Sequence, residues 1–155
     1  MPKLGDTWWV KPTQLDKDQR EAHSLCKEKS HLLLGPPGSG KTNILLLQAE
    51  YLTRTKQPNI QLIVFNRTLQ EFIRHGLDGT KKFPPKNVVT MARFLQKILI
   101  ENDRSTDDLP SEPDASRIEL ARRVTSLLDE GQNDKIYQVL LLDEVQDYSI
   151  EELAI

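Results

Sequence analysis

The chain has 155 residues, a formal net charge of −2 and 37% hydrophobic residues, which fits about one domain and gives no sign of a global nucleic-acid-binding field, so any DNA contact must come from local basic residues. The single cysteine, Cys26, excludes an internal disulfide and favours a reducing compartment. No apolar run approaches transmembrane length and no signal-peptide core is visible, so we expect a cytoplasmic protein without a membrane partner.

The first predicted elements surround a glycine-rich loop. Thr13 and Asp16 have the spacing of a capping box and predict a helix over residues 13–29. The apolar run 31–34 predicts a strand, and a further helix is predicted over residues 41–53. Strand, loop and helix in this order form the usual context of a phosphate-binding loop.

The loop itself reads G-x-x-x-x-G-K-T, the Walker A pattern. Gly35 and Gly40 allow backbone angles that other residues resist, so successive N–H groups can point at phosphate oxygens. Lys41 is placed to reach the β- and γ-phosphates, and the Thr42 hydroxyl to ligate Mg²⁺. We therefore predict a nucleoside triphosphate site, with all loop residues in contact: Gly35, Pro36, Pro37, Gly38, Ser39, Gly40, Lys41 and Thr42.

Beyond the loop, predicted strands and helices alternate. Strands are predicted over residues 60–65, 88–90 and 137–142, and helices over residues 67–75, 92–100, 116–130 and from 149 onward. Residues 101–115, rich in Asp, Ser and Pro, predict a linker, and Ser116 and Glu119 predict a capping box after it. This alternation predicts an α/β fold with a mostly parallel sheet covered by helices on both faces.

The last predicted strand ends in two carboxylates, Asp143 and Glu144. A buried parallel strand ending in Asp delivers a carboxylate to Mg²⁺ in phosphate-binding-loop proteins. We assign Asp143 to the metal, through a bound water, and Glu144 to orienting and deprotonating an attacking water. Acidic residues at a solvated turn are the common alternative, which the preceding loop disfavours. The pair predicts nucleotide hydrolysis as well as binding.

Four motifs resemble, in order, those of superfamily 1 DNA helicases of the UvrD/Rep type. Residues 15–22 resemble the Q motif of that family, and residues 143–147, Asp-Glu-Val-Gln-Asp, resemble its motif II. Residues 63–69 are similar to motif Ia, and residues 89–95 to the T-x-H-S-F/L motif with Ala92 in place of the histidine. The resemblance covers most of the chain and implies a RecA-like P-loop NTPase fold.

The resemblance also implies roles for individual residues. Gln19 would read the adenine edge with one amide donor and one acceptor, so the nucleotide would be ATP, and Gln146 would join the nucleotide site. Asn66, Arg67 and Thr90 would contact single-stranded DNA. The implied activity is ATP hydrolysis coupled to translocation on single-stranded DNA and to duplex unwinding.

Two departures from the family shape our expectations. The segment before Asp143 is short, so we interpret residues 101–135 as a reduced accessory insertion. The RecA-like domain that contains it is expected over residues 13–155, after an amino-terminal extension over residues 1–12. Family members continue to a motif III strand, placed between the loop strand and the Asp143 strand, and to a second RecA-like domain with arginines. We therefore expect an incomplete sheet in this chain, which would be the front part of a longer helicase. A second RecA-like domain would be its partner, and we expect this chain alone to turn over ATP poorly.

Two other interpretations stay open. The first is a nucleotide-dependent regulatory P-loop ATPase that never unwinds nucleic acid. The second is a small P-loop kinase, which would need a lid with arginines after the second strand and an acceptor pocket. The sequence has Gln19 and the Asp-Glu-x-Gln-Asp motif in their place, which disfavours a kinase.

Overall fold

The computed structural model describes residues 10–25, 29–55, 59–78, 82–131 and 137–155. Most of the predicted amino-terminal extension, Cys26 and the end of the predicted insertion lie outside these ranges. The helices are α1 (Lys17–His23), α2 (Lys41–Arg54), α3 (Arg67–Leu77), α4 (Met91–Glu101), α5 (Pro113–Asp129) and α6 (Ile150–Leu153). The strands are β1 (Ile60–Val64), β2 (Val88–Thr90) and β3 (Val139–Leu142).

Within the described residues the three strands form one parallel sheet in the order β2–β1–β3. Val64 lies opposite Thr90 on one side of β1, and Ile63 lies opposite Leu142 on the other. The backbone N–H of Asp143 donates to the carbonyl of Ile63 at 2.9 Å, so Asp143 leaves β3 beside the end of β1. The predicted α/β class and parallel pairing are confirmed.

Helices cover both faces of β1 and β2, as predicted, whereas β3, which was predicted to be buried, is only partly buried and leaves Leu140 39% exposed. Successive side chains of a strand point to opposite faces, and β1 is buried along its whole length because both faces are covered. On one face, Ile60, Leu62 and Val64 pack with apolar residues of α2 and α3. On the other face, Ile63 packs with residues of α4 and α5, among them Leu95. In the part of the chain that the structure describes, no helix is long and apolar enough to cross a membrane.

The first helix begins later than predicted and ends earlier, at His23 rather than near residue 29. Residues Pro12–Gln14 form a short 3-10 helix, and the N-cap of α1 is Asp16 rather than Thr13. The Asp16 carboxylate accepts from the N–H of Gln19 at 2.8 Å, and the Gln19 side chain accepts from the N–H of Asp16 at 3.1 Å. This reciprocal pair satisfies two backbone donors that the helix leaves open, so the capping box lies one turn beyond the predicted position.

The predicted strand over residues 31–34 is wrong. This segment is not paired in the sheet, and Leu32 and Leu34 are 69% and 80% exposed. A strand is held by hydrogen bonds to a neighbour, and among the described residues no strand is available between this segment and β3. The finding that residues 31–34 are not paired in the sheet is consistent with the expected incomplete sheet.

The predicted start of the long second-half helix is also wrong. Helix α5 begins at Pro113, and its N-cap is Glu112 rather than Ser116, which lies inside the first turns. Hydrogen bonds from two backbone N–H groups to the Glu112 carboxylate lower its pKa. Proline suits the first helical position because its missing N–H is not needed there. Gly131, with φ of 67°, follows the helix end as predicted.

The remaining predicted elements agree with the structure to within two residues at each end. The final capping box is confirmed, since the Ser149 hydroxyl accepts from the N–H of Glu152 and the Glu152 carboxylate accepts from the N–H of Ser149.

Candidate functional site

The glycine-rich loop leads directly into α2, whose first residue is Lys41. Gly38 and Gly40 have φ of 77° and 84°, a region that glycine enters without strain. Gly35 does not have a positive φ, so the backbone angle that we predicted there occurs at Gly38 instead. Gly35 provides room, because a Cβ there would lie 2.8 Å from the Ser39 hydroxyl oxygen.

The Lys41 side chain folds back over the loop. Its ammonium donates to the carbonyl oxygens of Gly35 at 2.9 Å and Pro36 at 3.1 Å. The charge is therefore held at the loop, at the amino end of α2, where the helix dipole also favours an anion. Contact with the terminal phosphates remains a prediction, and it requires exchange of carbonyl partners for phosphate oxygens.

Gln19 lies against the loop, although it is far away in sequence. Its side-chain N–H donates to the carbonyl of Ser39 at 3.0 Å, and a Cβ on Gly40 would lie 2.9 Å from the same nitrogen. The amide oxygen accepts from the backbone of Asp16 in the capping box. The structure thus brings the predicted adenine reader to the phosphate loop, with both ends of its amide engaged.

Thr42 and Asp143 meet across the molecule. The Thr42 hydroxyl donates to a carboxylate oxygen of Asp143 at 2.8 Å, and Asp143 is only 2% exposed. Burial raises the pKa of Asp143, while the Thr42 hydrogen bond and the positive charge of Lys41 act in the opposite direction. A nearby positive charge would stabilise this buried carboxylate, and the Thr42 hydroxyl beside it is a second oxygen donor. Oxygen donors of this kind suit Mg²⁺.

The structure brings one carboxylate and one hydroxyl together at this position. Among the described residues, no three His, Cys, Asp or Glu side chains cluster as a metal site. Mg²⁺ is typically bound by one or two carboxylates together with substrate phosphates rather than by a protein cage. The predicted ligands Thr42 and Asp143 are therefore adjacent, and their role toward Mg²⁺ stays a prediction.

Glu144 and Gln146 form a polar pair directly after Asp143. Glu144 has φ of 51°, in the left-handed region that a non-glycine residue rarely adopts, and such strain is concentrated at functional sites. Its carboxylate accepts from the side-chain amide of Gln146 at 2.6 Å. A short 3-10 helix, Val145–Asp147, follows. Gln146 therefore orients Glu144, a contact that we did not predict.

The predicted DNA-contacting residues lie at the same edge of the sheet. The Asn66 side chain caps α3 by accepting from the N–H of Leu69, and Arg67 pairs with Glu71 at 3.0 Å on the surface. Thr90 ends β2 and makes no side-chain capping bond. Because Thr90 and Asp143 flank the end of β1, these residues share the carboxyl edge of the sheet with the metal candidate.

Residues 19–154 match the sequence profile of a family described as AAA domain. The chain belongs to this AAA domain family. The matched range begins at Gln19 and includes the glycine-rich loop and Asp143, so the family covers the whole site. An AAA domain is a nucleotide-binding P-loop ATPase domain, and the three-stranded parallel sheet with its helices is an incomplete P-loop NTPase fold. Neither the curated proteins nor the solved structures gave a match.

Proposed function

We propose that this AAA domain is the ATP-binding and ATP-hydrolysing domain of a UvrD/Rep-like DNA helicase. The proposed activity couples hydrolysis to movement along single-stranded DNA and to unwinding. The observation that carries the proposal is the hydrogen bond from Thr42 to Asp143, because it joins the phosphate loop to the Asp-Glu-x-Gln-Asp motif. The position of Gln19 against the loop supports the same proposal.

The proposed roles follow from the contacts. The loop N–H groups and Lys41 hold the triphosphate, and Thr42 and Asp143 hold Mg²⁺, which neutralises charge on the phosphate oxygens when bound. Glu144 accepts a proton from the attacking water, and Gln146 keeps its carboxylate in place. A second RecA-like domain would add arginines, which contribute about 10³–10⁵-fold in related phosphoryl-transfer enzymes.

Residues 101–135 would act as a reduced accessory insertion within this domain. Helix α5 lies inside that segment and packs on α4 through Leu120, Val124 and Leu127, which are buried in the same core cluster as α4 residues. The segment therefore shares the domain's own core, which favours a compact insertion over a separate unit.

We expect the chain to bind single-stranded DNA through the carboxyl edge of the sheet. The measurement is fluorescence anisotropy of a labelled oligothymidylate of about 15 nucleotides at increasing salt. Replacing Arg67 and Thr90 together by Ala should weaken binding by about fivefold or more, since a hydrogen bond to a charged group is lost. Arg122→Ala, which removes an exposed charge from α5, is the matched control and should leave binding unchanged.

The regulatory ATPase remains the alternative, and two observations favour it. Asn66 and Arg67 already have partners within the chain, and the net charge of −2 gives no general attraction to DNA. A chain that binds Mg²⁺–ATP but no oligothymidylate at low salt would support this alternative and contradict the helicase proposal.

We expect Gln19 to select adenine. ATP should bind about tenfold more tightly than GTP, because the adenine edge offers the amide one donor and one acceptor in exchange for its bonds to Ser39 and Asp16. Gln19→Ala should reduce the difference between the ATP and GTP affinities. A change in the GTP affinity would report a change in the phosphate loop itself. Gln14→Ala is the matched control, since Gln14 makes a similar capping bond to Lys11. Equal binding of both nucleotides by the unaltered protein would remove the adenine role.

A further inference from the structure

Tyr148 joins the two parts of the site through one ring contact. It follows the 3-10 helix Val145–Asp147 and is 8% exposed. Its ring packs edge-on against Phe65, with centroids 6.0 Å apart and an interplanar angle of 63°. Phe65 immediately follows β1 and precedes Asn66. The contact therefore connects the chain after Asp143 to the chain that carries the proposed DNA-contacting residues.

The ring, rather than the hydroxyl, accounts for this placement. The Tyr148 hydroxyl is buried and has no hydrogen-bond partner among the described residues. Burial raises the pKa of Tyr148, the nearby carboxylates Asp143 and Glu152 add to the effect, and Arg117 opposes it. A buried hydroxyl without a partner costs stability, so the aromatic packing must be the favourable part of the arrangement.

Phe65 is confined from a second direction. The guanidinium carbon of Arg117 lies 5.5 Å from the centroid of the Phe65 ring, and Arg117 also pairs with Glu152 at 3.1 Å. Phe65 is thus held by Tyr148 and by Arg117. A shift of either neighbour therefore changes a direct contact of the Phe65 ring.

We propose that Tyr148 is a positioning residue that couples the nucleotide end of β3 to the turn carrying Asn66 and Arg67. The inference rests on the proposed function. Nucleotide binding at Asp143 and Glu144 changes the position of the short segment that ends in Tyr148. Tyr148 transmits the change through Phe65 to the DNA-contacting turn. Since coupling between two binding sites is reciprocal, DNA bound at the turn changes nucleotide affinity by the same factor.

The test measures the affinity for labelled oligothymidylate with and without Mg²⁺ and a non-hydrolysable ATP analogue. The unaltered protein should show at least about a fivefold difference between the two conditions. Tyr148→Leu and Phe65→Leu should reduce the difference to less than about twofold, because each removes the ring contact. Tyr148→Phe keeps the ring and should keep the full difference.

Phe83→Leu is the matched control. Phe83 is 2% exposed and lies in the core cluster on the opposite face of the sheet, so this change should lower the melting temperature without altering the coupling. A role of Tyr148 in stability alone predicts that Tyr148→Leu and Phe83→Leu behave alike. If Tyr148→Leu does not fold, the partly buried Phe65 provides the deciding variant.

Three outcomes would overturn the proposal. Binding of the analogue without any binding of oligothymidylate would contradict the proposed function and the coupling together. Independent binding of both ligands by the unaltered protein would contradict the coupling while leaving the proposed function in place. Full coupling in folded Tyr148→Leu or Phe65→Leu protein would show that the ring contact transmits nothing.

Discussion

Arg117→Ala is expected to lower the free energy of unfolding by about 3 kcal/mol, since breaking a buried ion pair strands the remaining charge. Arg117 Nε lies 3.1 Å from an oxygen of Glu152, whose side chain is 0% exposed, while the Arg117 side chain is 24% exposed. The two atoms are not aligned as a hydrogen bond, so charge rather than bond geometry holds the pair. Loss of the guanidinium leaves the Glu152 carboxylate in the core without a counter-charge.

The neighbouring pair on the same two helices is the control. Arg122 lies 3.6 Å from Glu151, and their side chains are 64% and 41% exposed. An exposed pair contributes about 1 kcal/mol or less, so Arg122→Ala should change little. Chemical denaturation of the two variants gives the comparison directly. Adding Glu152→Gln to Arg117→Ala should recover part of the loss, because the stranded charge is then absent. Equal effects of Arg117→Ala and Arg122→Ala would contradict a stabilising role of the buried charge pair.

The Arg117–Glu152 pair gives the proposed accessory insertion a structural role. Arg117 lies on α5, within residues 101–135, whereas Glu152 lies on α6, just beyond the Asp-Glu-x-Gln-Asp motif. The cation also faces the ring of Phe65, which precedes the DNA-contacting candidates. One side chain of the insertion thus contacts two of the chain segments that leave the carboxyl edge of the sheet, those after β1 and β3.

The sequence was sufficient to predict the elements whose signals are local. The glycine-rich loop, the start of α2 at Lys41 and the final capping box at Ser149 each depend on residue types at short, fixed spacing. The buried strands β1 and β2 were also predictable, because a short apolar run between turn residues is typical of a strand that is covered on both faces.

The wrong predictions share a different cause. The run 31–34 has the composition of a buried strand, but strand formation needs a partner whose presence a local pattern cannot reveal. The caps of α1 and α5 were misplaced because several residues near each start can accept backbone hydrogen bonds. The choice of Asp16 over Thr13, and of Glu112 over Ser116, depends on where the preceding chain runs.

Within the site, long-range partners were predictable only through the motifs. The meeting of Thr42 with Asp143 followed from the known logic of phosphate-binding loops, and the position of Gln19 from the family resemblance. Nothing in the residue spacing indicated that Tyr148 packs on Phe65. A buried aromatic directly after an acidic motif has no general sequence signature, so such a contact becomes visible only in the folded chain.

Lys41→Ala is expected to weaken Mg²⁺–ATP binding at least about tenfold, equivalent to about 1.4 kcal/mol. The Lys41 ammonium is the positive charge that we expect to contact the terminal phosphates. Charge-assisted hydrogen bonds are roughly twice as strong as neutral ones. In the structure, Lys41 donates to the carbonyls of Gly35 and Pro36, so part of its interaction with phosphate replaces bonds already made. The measurement is isothermal titration calorimetry.

Two comparisons separate loss of charge from disturbance of the loop. Lys41→Arg keeps the charge but not the compact ammonium, so it should bind more tightly than Lys41→Ala and less tightly than the unaltered protein. Lys86→Ala removes a lysine from the 3-10 helix Pro85–Asn87, at the amino end of β2 and opposite the site, and should bind normally. Thermal melts offer a second readout, because ligand at 100 times its Kd stabilises a protein by about 2.7 kcal/mol. Lys41→Ala should lose most of this stabilisation at the same ATP concentration, and unchanged affinity would remove the assignment of residues 35–42 as the phosphate loop.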